Sequence, residues 1–308
     1  MEKNNTTLWT EFILLGFLSQ TKSPATVLSL LIFMFIMVLS GNCLLLYLIQ
    51  VDSGLHSPMY FFLSQLSFMD LCQTLTIGPK LTTDFLRKKN GISLSGCTVQ
   101  IYFIVTMALA EYFLLAAMSY DRYLAICKPL QYPILMRRTI CLSLTAVVWG
   151  SATLHALVPS VYVSLQPYCG SNVIHHIYCD FPSMLKLSCS DTSVFERLAI
   201  LISIEVLLPP LSTILVSYIC ILVTVLRSAG RSHKALGTCF SHLAVVGLFY
   251  GAAMFKYMRP MSYRSPFQDD IVSLLCTIVT PMLNPLIYSL RNQDVLEALK
   301  KLFRKSYH

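Results

Sequence analysis

The chain has 308 residues, of which 55% are hydrophobic and 12% charged, with a formal net charge of +8. Soluble domains carry roughly a quarter charged residues, so this composition excludes an ordinary soluble globule. It points to a membrane protein, for which no nucleic-acid partner is expected.

Residues 1–24 read as a short tail in which Asn4-Asn5-Thr6-Thr7 holds two overlapping glycosylation acceptors, Asn4 and Asn5. Met1 to Lys22 lacks the apolar core of a cleavable signal peptide, so the first span is expected to serve as the targeting signal. A span needs about 20 apolar residues, and charge-poor windows of that length recur in order. They lie between Lys22 and Asp52, from Pro58 to Ile77 around Asp70, and from Cys97 to Ile126 around Glu111. They continue from Ile140 to about Leu165, from Leu198 to Leu226 around Glu205, from Ala235 to Phe255 and from Ile271 to Leu290. Seven spans put the termini on opposite sides. The expectation is an all-α membrane protein, a seven-transmembrane helix bundle over residues 25–290, with residues 291–308 as a cytoplasmic tail.

The distribution of basic residues does not orient the bundle: 12 of the 23 Lys and Arg fall on the side of the C-terminus. The glycosylation acceptors and four cysteines on the opposite side, Cys97, Cys169, Cys179 and Cys189, place the N-terminus outside. Four cysteines allow three pairings. The long outer loop from about Gln166 to Glu196 carries three of them, and a staple to the third helix makes such a loop a lid rather than a loose segment. The remaining cysteines fall in or near spans and read as packing. His175-His176 lacks a complete metal-ligand set and is expected to be solvent-exposed; Lys256 is expected to extend its amine to the interface. Glu205 and His155, on neighbouring spans, either satisfy each other or lend Glu205 to a ligand, the former being favoured. Val295, Leu299 and Leu302, with Leu296 and Phe303, alternate with Lys300, Lys301, Arg304 and Lys305 as a short basic amphipathic helix lying on membrane lipids.

Several segments carry a family likeness. Gly41-Asn42, Leu55-His56-Ser57-Pro58-Met59-Tyr60, Asp121-Arg122-Tyr123 running to Cys127-Lys128-Pro129, Ser217-Tyr218, Lys234-Ala235-Leu236-Gly237-Thr238-Cys239-Phe240-Ser241-His242, Phe249-Tyr250-Gly251 and Pro281-Met282-Leu283-Asn284-Pro285-Leu286-Ile287-Tyr288 occur in register, at least one segment in nearly every span. In these the chain resembles an odorant receptor of the rhodopsin-like G protein-coupled receptor class. The resemblance implies disulfides Cys97–Cys179 and Cys169–Cys189. It also implies an activation switch made of Asp121, Arg122, Tyr123, Tyr218, Tyr250, Asn284, Pro285 and Tyr288.

Charge burial gives these residues physical roles. Asp121 beside Arg122 is expected to hold the guanidinium as a resting ion pair, since a buried arginine without a partner is costly. Tyr218 and Tyr288 are expected to offer it hydroxyls when the bundle opens. At about 1.5 Å per residue, Asp70 lies roughly 18 Å from Pro58 and Glu111 roughly 15 Å from Asp121, so both share one depth with Asn42 and Asn284. Two carboxylates in one layer require a proton or a cation, and the resemblance favours a sodium ion at Asp70, Glu111 and Asn284.

A ligand site is expected toward the outside. On the third span Ile104, Val105, Ala108 and Leu109 recur at helical spacing. Matched to receptor architecture they face Ile202, Ser203 and Val206 of the fifth, Ala253, Met254 and Tyr257 of the sixth, and Thr277 of the seventh. Such an oily wall with few hydroxyls suits a small lipophilic volatile and not an amine. By resemblance the partner is a stimulatory, olfactory-type heterotrimeric G protein that raises cyclic AMP at the plasma membrane. A transporter is disfavoured by the odd span count and the absence of repeats, and an enzyme by the absence of a zinc, nucleophile-elbow or phosphate-loop motif.

Overall fold

The computed structural model describes residues 9–16, 23–87, 91–227, 232–259, 263–290 and 293–306; Asn4 and Asn5 lie outside them. Seven long helical segments form the bundle. They are α1 (Pro24–Val51), α2 (Pro58–Arg87), α3 (Leu94–Cys127), α5 (Arg138–Leu165), α7 (Ser193–Arg227), α8 (Ser232–Tyr257), and a seventh built of α9 (Pro266–Leu274), a π-turn (Leu275–Val279) and α10 (Thr280–Leu290). Short helices α4 (Tyr132–Leu135) and α6 (Phe181–Leu185) sit in loops, and α11 (Gln293–Ser306) follows the bundle. The protein is a multi-pass membrane bundle. Its helices overrun the charge-poor windows because a helix continues past the residues that end an apolar run: α2 reaches Arg87 and the seventh segment starts at Pro266.

Local chemistry sets the ends. Pro24 and Pro58 open α1 and α2, positions where a missing N–H costs nothing, and the Ser93 hydroxyl accepts from Gly96 N at 3.1 Å to cap α3. Among the described residues, five of the helices are long and apolar enough to cross a membrane. The second falls short because Ser67, Asp70, Gln73 and Thr74 ride on it, and all four are buried inside the bundle instead of facing lipid. The apolar side chains left outside, such as Phe33, Ile36, Val147, Leu154 and Val216, form the lipid-facing wall. At the π-turn the Thr280 hydroxyl bonds the Leu275 carbonyl at 2.9 Å, and Pro281 next to it cannot donate to the ladder.

The third helix stands at the centre, flanked by α2, α5 and α7. Its Leu114, Leu115 and Met118 pack with Phe62, Leu66, Ile214 and Phe249 in the main core. Gly41 leaves room for the seventh segment against α1: a Cβ there would lie 3.1 Å from Pro285 Cγ. Asn42 beside it donates to the Pro281 carbonyl at 3.1 Å. On α11, Val295 and Ala298 are buried against the bundle, Tyr60 donates to Asp294 at 2.9 Å and Lys301 meets Asp52 at 3.1 Å, as the amphipathic pattern requires.

The tail before α1 is more ordered than its sequence suggests. Residues Glu11–Leu14 form a strand, β1, the middle of a three-stranded sheet with β2 (Gly91–Ser93, antiparallel) and β3 (Val173–Ile174, parallel). Phe12 and Leu14 turn inward and join a cluster with Val163, Tyr168, Cys97 and Cys179. The disulfides Cys97–Cys179 and Cys169–Cys189 tie the long loop after α5 to α3 and to itself. This sheet end of the bundle is thereby roofed.

Candidate functional site

Beneath the roof lies a cavity of about 360 Å³ between α3, α5 and α7, covered by α6. Val105, Ala108, Leu109 and Tyr112 form its α3 wall, an i, i+3, i+4, i+7 stripe that a helix turns to one side. Ile202, Ser203 and Val206 face them from α7, and Tyr257 closes the wall from α8. Phe181 and Phe195, edge to face at 5.6 Å, stand on the lid side, and Glu196, Arg197, Arg259 and Arg264 line the rest.

Four of the eleven expected wall residues stand elsewhere. Ile104 is rotated about 100° from Val105, which takes it off the cavity and into a cluster with Leu31, Phe35, Ile77 and Ile278. Ala253 belongs to the main core, Thr277 bonds the Ser273 carbonyl at 2.8 Å, and Met254 is half-buried off the wall. Tyr112 and the α5 residues Val158 and Pro159 were missed, although continuing the 105, 108, 109 stripe one further turn finds Tyr112. His155 lines the cavity, its Nδ1 2.7 Å from the Ser151 carbonyl and its Nε2 3.8 Å from Glu205. Glu205 itself is not buried: its side chain is 72% exposed on the outer face and does not reach the cavity.

A buried polar network locks the lid to α8 and α9, contrary to expectation. Lys256 does not reach the interface. Its amine lies 2.9 Å from Asp180 and donates to Tyr178 at 3.1 Å and Ser273 at 2.7 Å, with Lys256 2% and Asp180 5% exposed. His175 is exposed as expected, but His176 is fully buried, 3.0 Å from the Ser273 hydroxyl and 3.6 Å from Asp270, whose Oδ1 also accepts from Ile177 N at 3.1 Å. Burial, with the Lys256 charge adding to it against Asp180, lowers the His176 imidazole to about 3, so it is neutral and its Asp270 contact is not an ion pair. Burial alone would raise the Asp180 carboxyl, but Lys256 and the other donors around it hold it below the usual range.

Midway down the bundle the expected polar layer is assembled. Asn284 Nδ2 reaches Asp70 at 3.0 and 3.3 Å and Glu111 at 3.5 Å, and all three residues are at most 1% exposed. Glu111 Oε2 and Asn284 Oδ1 are buried acceptors without a hydrogen-bond partner, and Asn42 reaches the layer's edge only through Pro281.

At the end away from the sheet, the resting ion pair is replaced by a different contact. Adjacent residues on a helix point apart, and among the described residues no ion pair joins Asp121 to Arg122. Asp121 instead accepts from the Tyr132 hydroxyl of α4 at 2.9 Å. Burial and the nearby Asp121 carboxylate push the Tyr132 phenol up, so it remains a donor at any physiological pH. The Tyr218 hydroxyl lies 2.6 Å from His242 Nδ1, linking α7 to α8, while Tyr123 stacks on Tyr120 at 6.2 Å. Tyr250 donates to the Tyr112 carbonyl at 3.0 Å, and Pro285 meets Gly41. Tyr288 lies on α10, its side chain outside the described residues.

Seven membrane helices, a roofed cavity at one end and an Asp-Arg-Tyr segment at the other define a receptor of the G protein-coupled class. The family described as "Olfactory receptor" matches residues 31–306. The mouse (Mus musculus) protein Olfactory receptor 2V1 is 49% identical over 292 residues, 94% of this chain and 93% of its own. The Homo sapiens proteins Olfactory receptor 2Z1 and Olfactory receptor 2T27 are 48% and 47% identical, each over 305 residues and 98% of this chain, covering 97% and 96% of their own lengths. The chain belongs to the olfactory receptor family, and it is not an enzyme.

Proposed function

We propose that this receptor takes a small lipophilic volatile into the cavity between α3, α5 and α7 and activates a stimulatory, olfactory-type heterotrimeric G protein at the Asp121–Arg122 end, raising cyclic AMP. The cavity carries the reading. Its volume of about 360 Å³ falls at the small end of ligand sites, and its α3 stripe of Val105, Ala108, Leu109 and Tyr112 carries no acid to hold an amine. Binding there comes mainly from burial, at roughly 25 cal/mol per Å² of apolar surface. The sheet end faces outward, with glycans on Asn4 and Asn5, and the Asp121–Arg122 end and α11 face the cytoplasm, α11 lying on the inner leaflet. The disulfides support this orientation, because they persist in an oxidising compartment.

The ligand favours the arrangement in which the inner end of α8 swings out, and so shifts a pre-existing equilibrium. Opening separates Tyr218 from His242 and exposes a cleft between α3, α7 and α8, beside Arg122, for the Gα C-terminal helix. A panel of volatiles read through cyclic AMP in cells supplied with a stimulatory G protein tests the reading. A surface-expressed receptor that answers none of them rejects it.

The polar layer suits a sodium ion that stabilises the inactive state. Hard cations take oxygen ligands, and Asp70, Glu111 and Asn284 supply carboxylate and amide oxygens, two of them without a partner. The ion supplies positive charge that offsets two buried carboxylates. Titrating sodium against basal signalling in Glu111→Gln checks it: an unchanged sodium response removes Glu111 from the role.

A further inference from the structure

We infer, building on that reading, that Tyr112 makes the cavity selective for volatiles bearing a hydrogen-bond acceptor, such as a ketone, aldehyde or ester oxygen, and relays their arrival to α8. Two polar side chains of the wall are already spent. Ser203 donates to the Ala199 carbonyl at 2.7 Å, and His155 is held between Ser151 and Glu205. The wall has two phenols, Tyr112 and Tyr257, and among the described residues neither hydroxyl meets a hydrogen-bond partner. The buried Arg259 Nε and Arg264 Nη1 donors are unmet as well, but they belong to the segment beyond α8 on the lid side and touch neither α3 nor the contact between α3 and α8. The two phenols stand on different helices: Tyr112 lies seven positions, roughly 10 Å, along α3 from Val105 toward the middle of the bundle, and Tyr257 lies on α8 beside Lys256. A phenol facing an apolar cavity has an unused proton, so an acceptor oxygen there gains a bond that a hydrocarbon cannot make.

The same side chain is packed on the helix that must move. The Tyr112 ring lies 4.6 Å from the Phe249 ring and 4.9 Å from the Tyr250 ring, and Tyr250 returns a hydrogen bond to the Tyr112 carbonyl at 3.0 Å. A ligand that pulls on the Tyr112 hydroxyl therefore acts on the contact holding α3 to α8. Leu109, one turn nearer the lid, touches the ligand without that connection.

The test uses the full chain at the cell surface, quantified by antibody labelling, and straight-chain 2-alkanones each paired with its 2-methyl-1-alkene, which replaces the ketone oxygen by an isosteric methylidene. Wild type answers the ketones at lower concentration than the alkenes. Tyr112→Phe, which keeps the ring against Phe249, raises the ketone half-maximal concentration on the order of tenfold and leaves that of the alkenes where it was. Tyr257→Phe keeps the ketone preference, and a preference lost there but kept in Tyr112→Phe overturns the assignment. Equal potency of ketone and alkene on wild type overturns it too, and that measurement decides even where Tyr112→Phe fails to reach the surface. A wild type that answers other volatiles but no ketone sinks this inference alone; one that answers no volatile sinks the receptor reading beneath it.

Discussion

The two ends of the bundle are held by different kinds of bond. At the sheet end two disulfides, a three-stranded sheet and the Lys256–Asp180 pair fix the loop over the cavity. At the opposite end, among the described residues, the polar contacts around the Asp121–Arg122 segment are single hydrogen bonds, such as Tyr132 to Asp121 and Tyr218 with His242. Breaking a buried ion pair on one side costs about 3–5 kcal/mol, whereas one hydrogen bond to a charged group is worth about 1.5–3 kcal/mol. The cavity end is therefore the more firmly tied of the two, as the proposed opening at the far end requires.

Lys256→Met should break this contrast most. It strands the Asp180 carboxylate in a buried site, and the expected loss is about 3–5 kcal/mol, seen as a lower melting temperature of purified receptor and less protein at the surface. The double variant Lys256→Met/Asp180→Asn should recover most of it; a double variant as unstable as the single one would show that the pair is not what holds the lid. Next, Tyr132→Phe deprives Asp121 of its donor at the weakly tied end, and an increase in basal cyclic AMP is expected, from a loss of about 2 kcal/mol in the resting state. Unchanged basal signalling would mean that α4 does not restrain the switch.

A pH titration sharpens the contrast at smaller scale. The folded His176 imidazole titrates at about 3, below the ordinary 6.5, so the unfolded chain takes up the proton first. Its contribution is complete above about pH 6.5 and declines as pH falls toward 3, by about 1 kcal/mol over the first unit. Thermal melts of wild type and His176→Gln between pH 7 and 5 should converge as the pH drops. The smallest effect belongs to Lys301→Ala on α11: the side chain is 64% exposed, and its pair with Asp52 is worth about 0.5 kcal/mol or less. A large destabilisation there would mean that α11 is anchored by charge rather than by Val295 and Ala298.

Much of this architecture can be read from the chain because lipid imposes simple rules. Windows of apolar residues mark helices, depth counting brings Asp70, Glu111 and Asn284 to one level, and the 295, 299, 302 spacing marks α11. What sequence reasoning missed depends on rotation and on loop return. Ile104 and Val105 are neighbours in sequence, yet about 100° of helix turn sends one to Phe35 and the other to the cavity. Lys256 and His176 look solvated until the Cys97–Cys179 bridge brings Asp180 and Tyr178 over α8. Asp121 and Arg122 invite pairing on paper, but contiguous helical positions diverge and a tyrosine eleven residues on takes the carboxylate.

The alternation of β1 has a practical corollary for handling the receptor. Phe12 and Leu14 are 0% and 5% exposed while Glu11 lies outside, so inserting a single residue within 11–14 would turn the acid inward and the phenylalanine out. Epitope tags and fluorescent fusions therefore belong ahead of Trp9, where they lengthen the leader without disturbing the phase of the segment that closes the mouth.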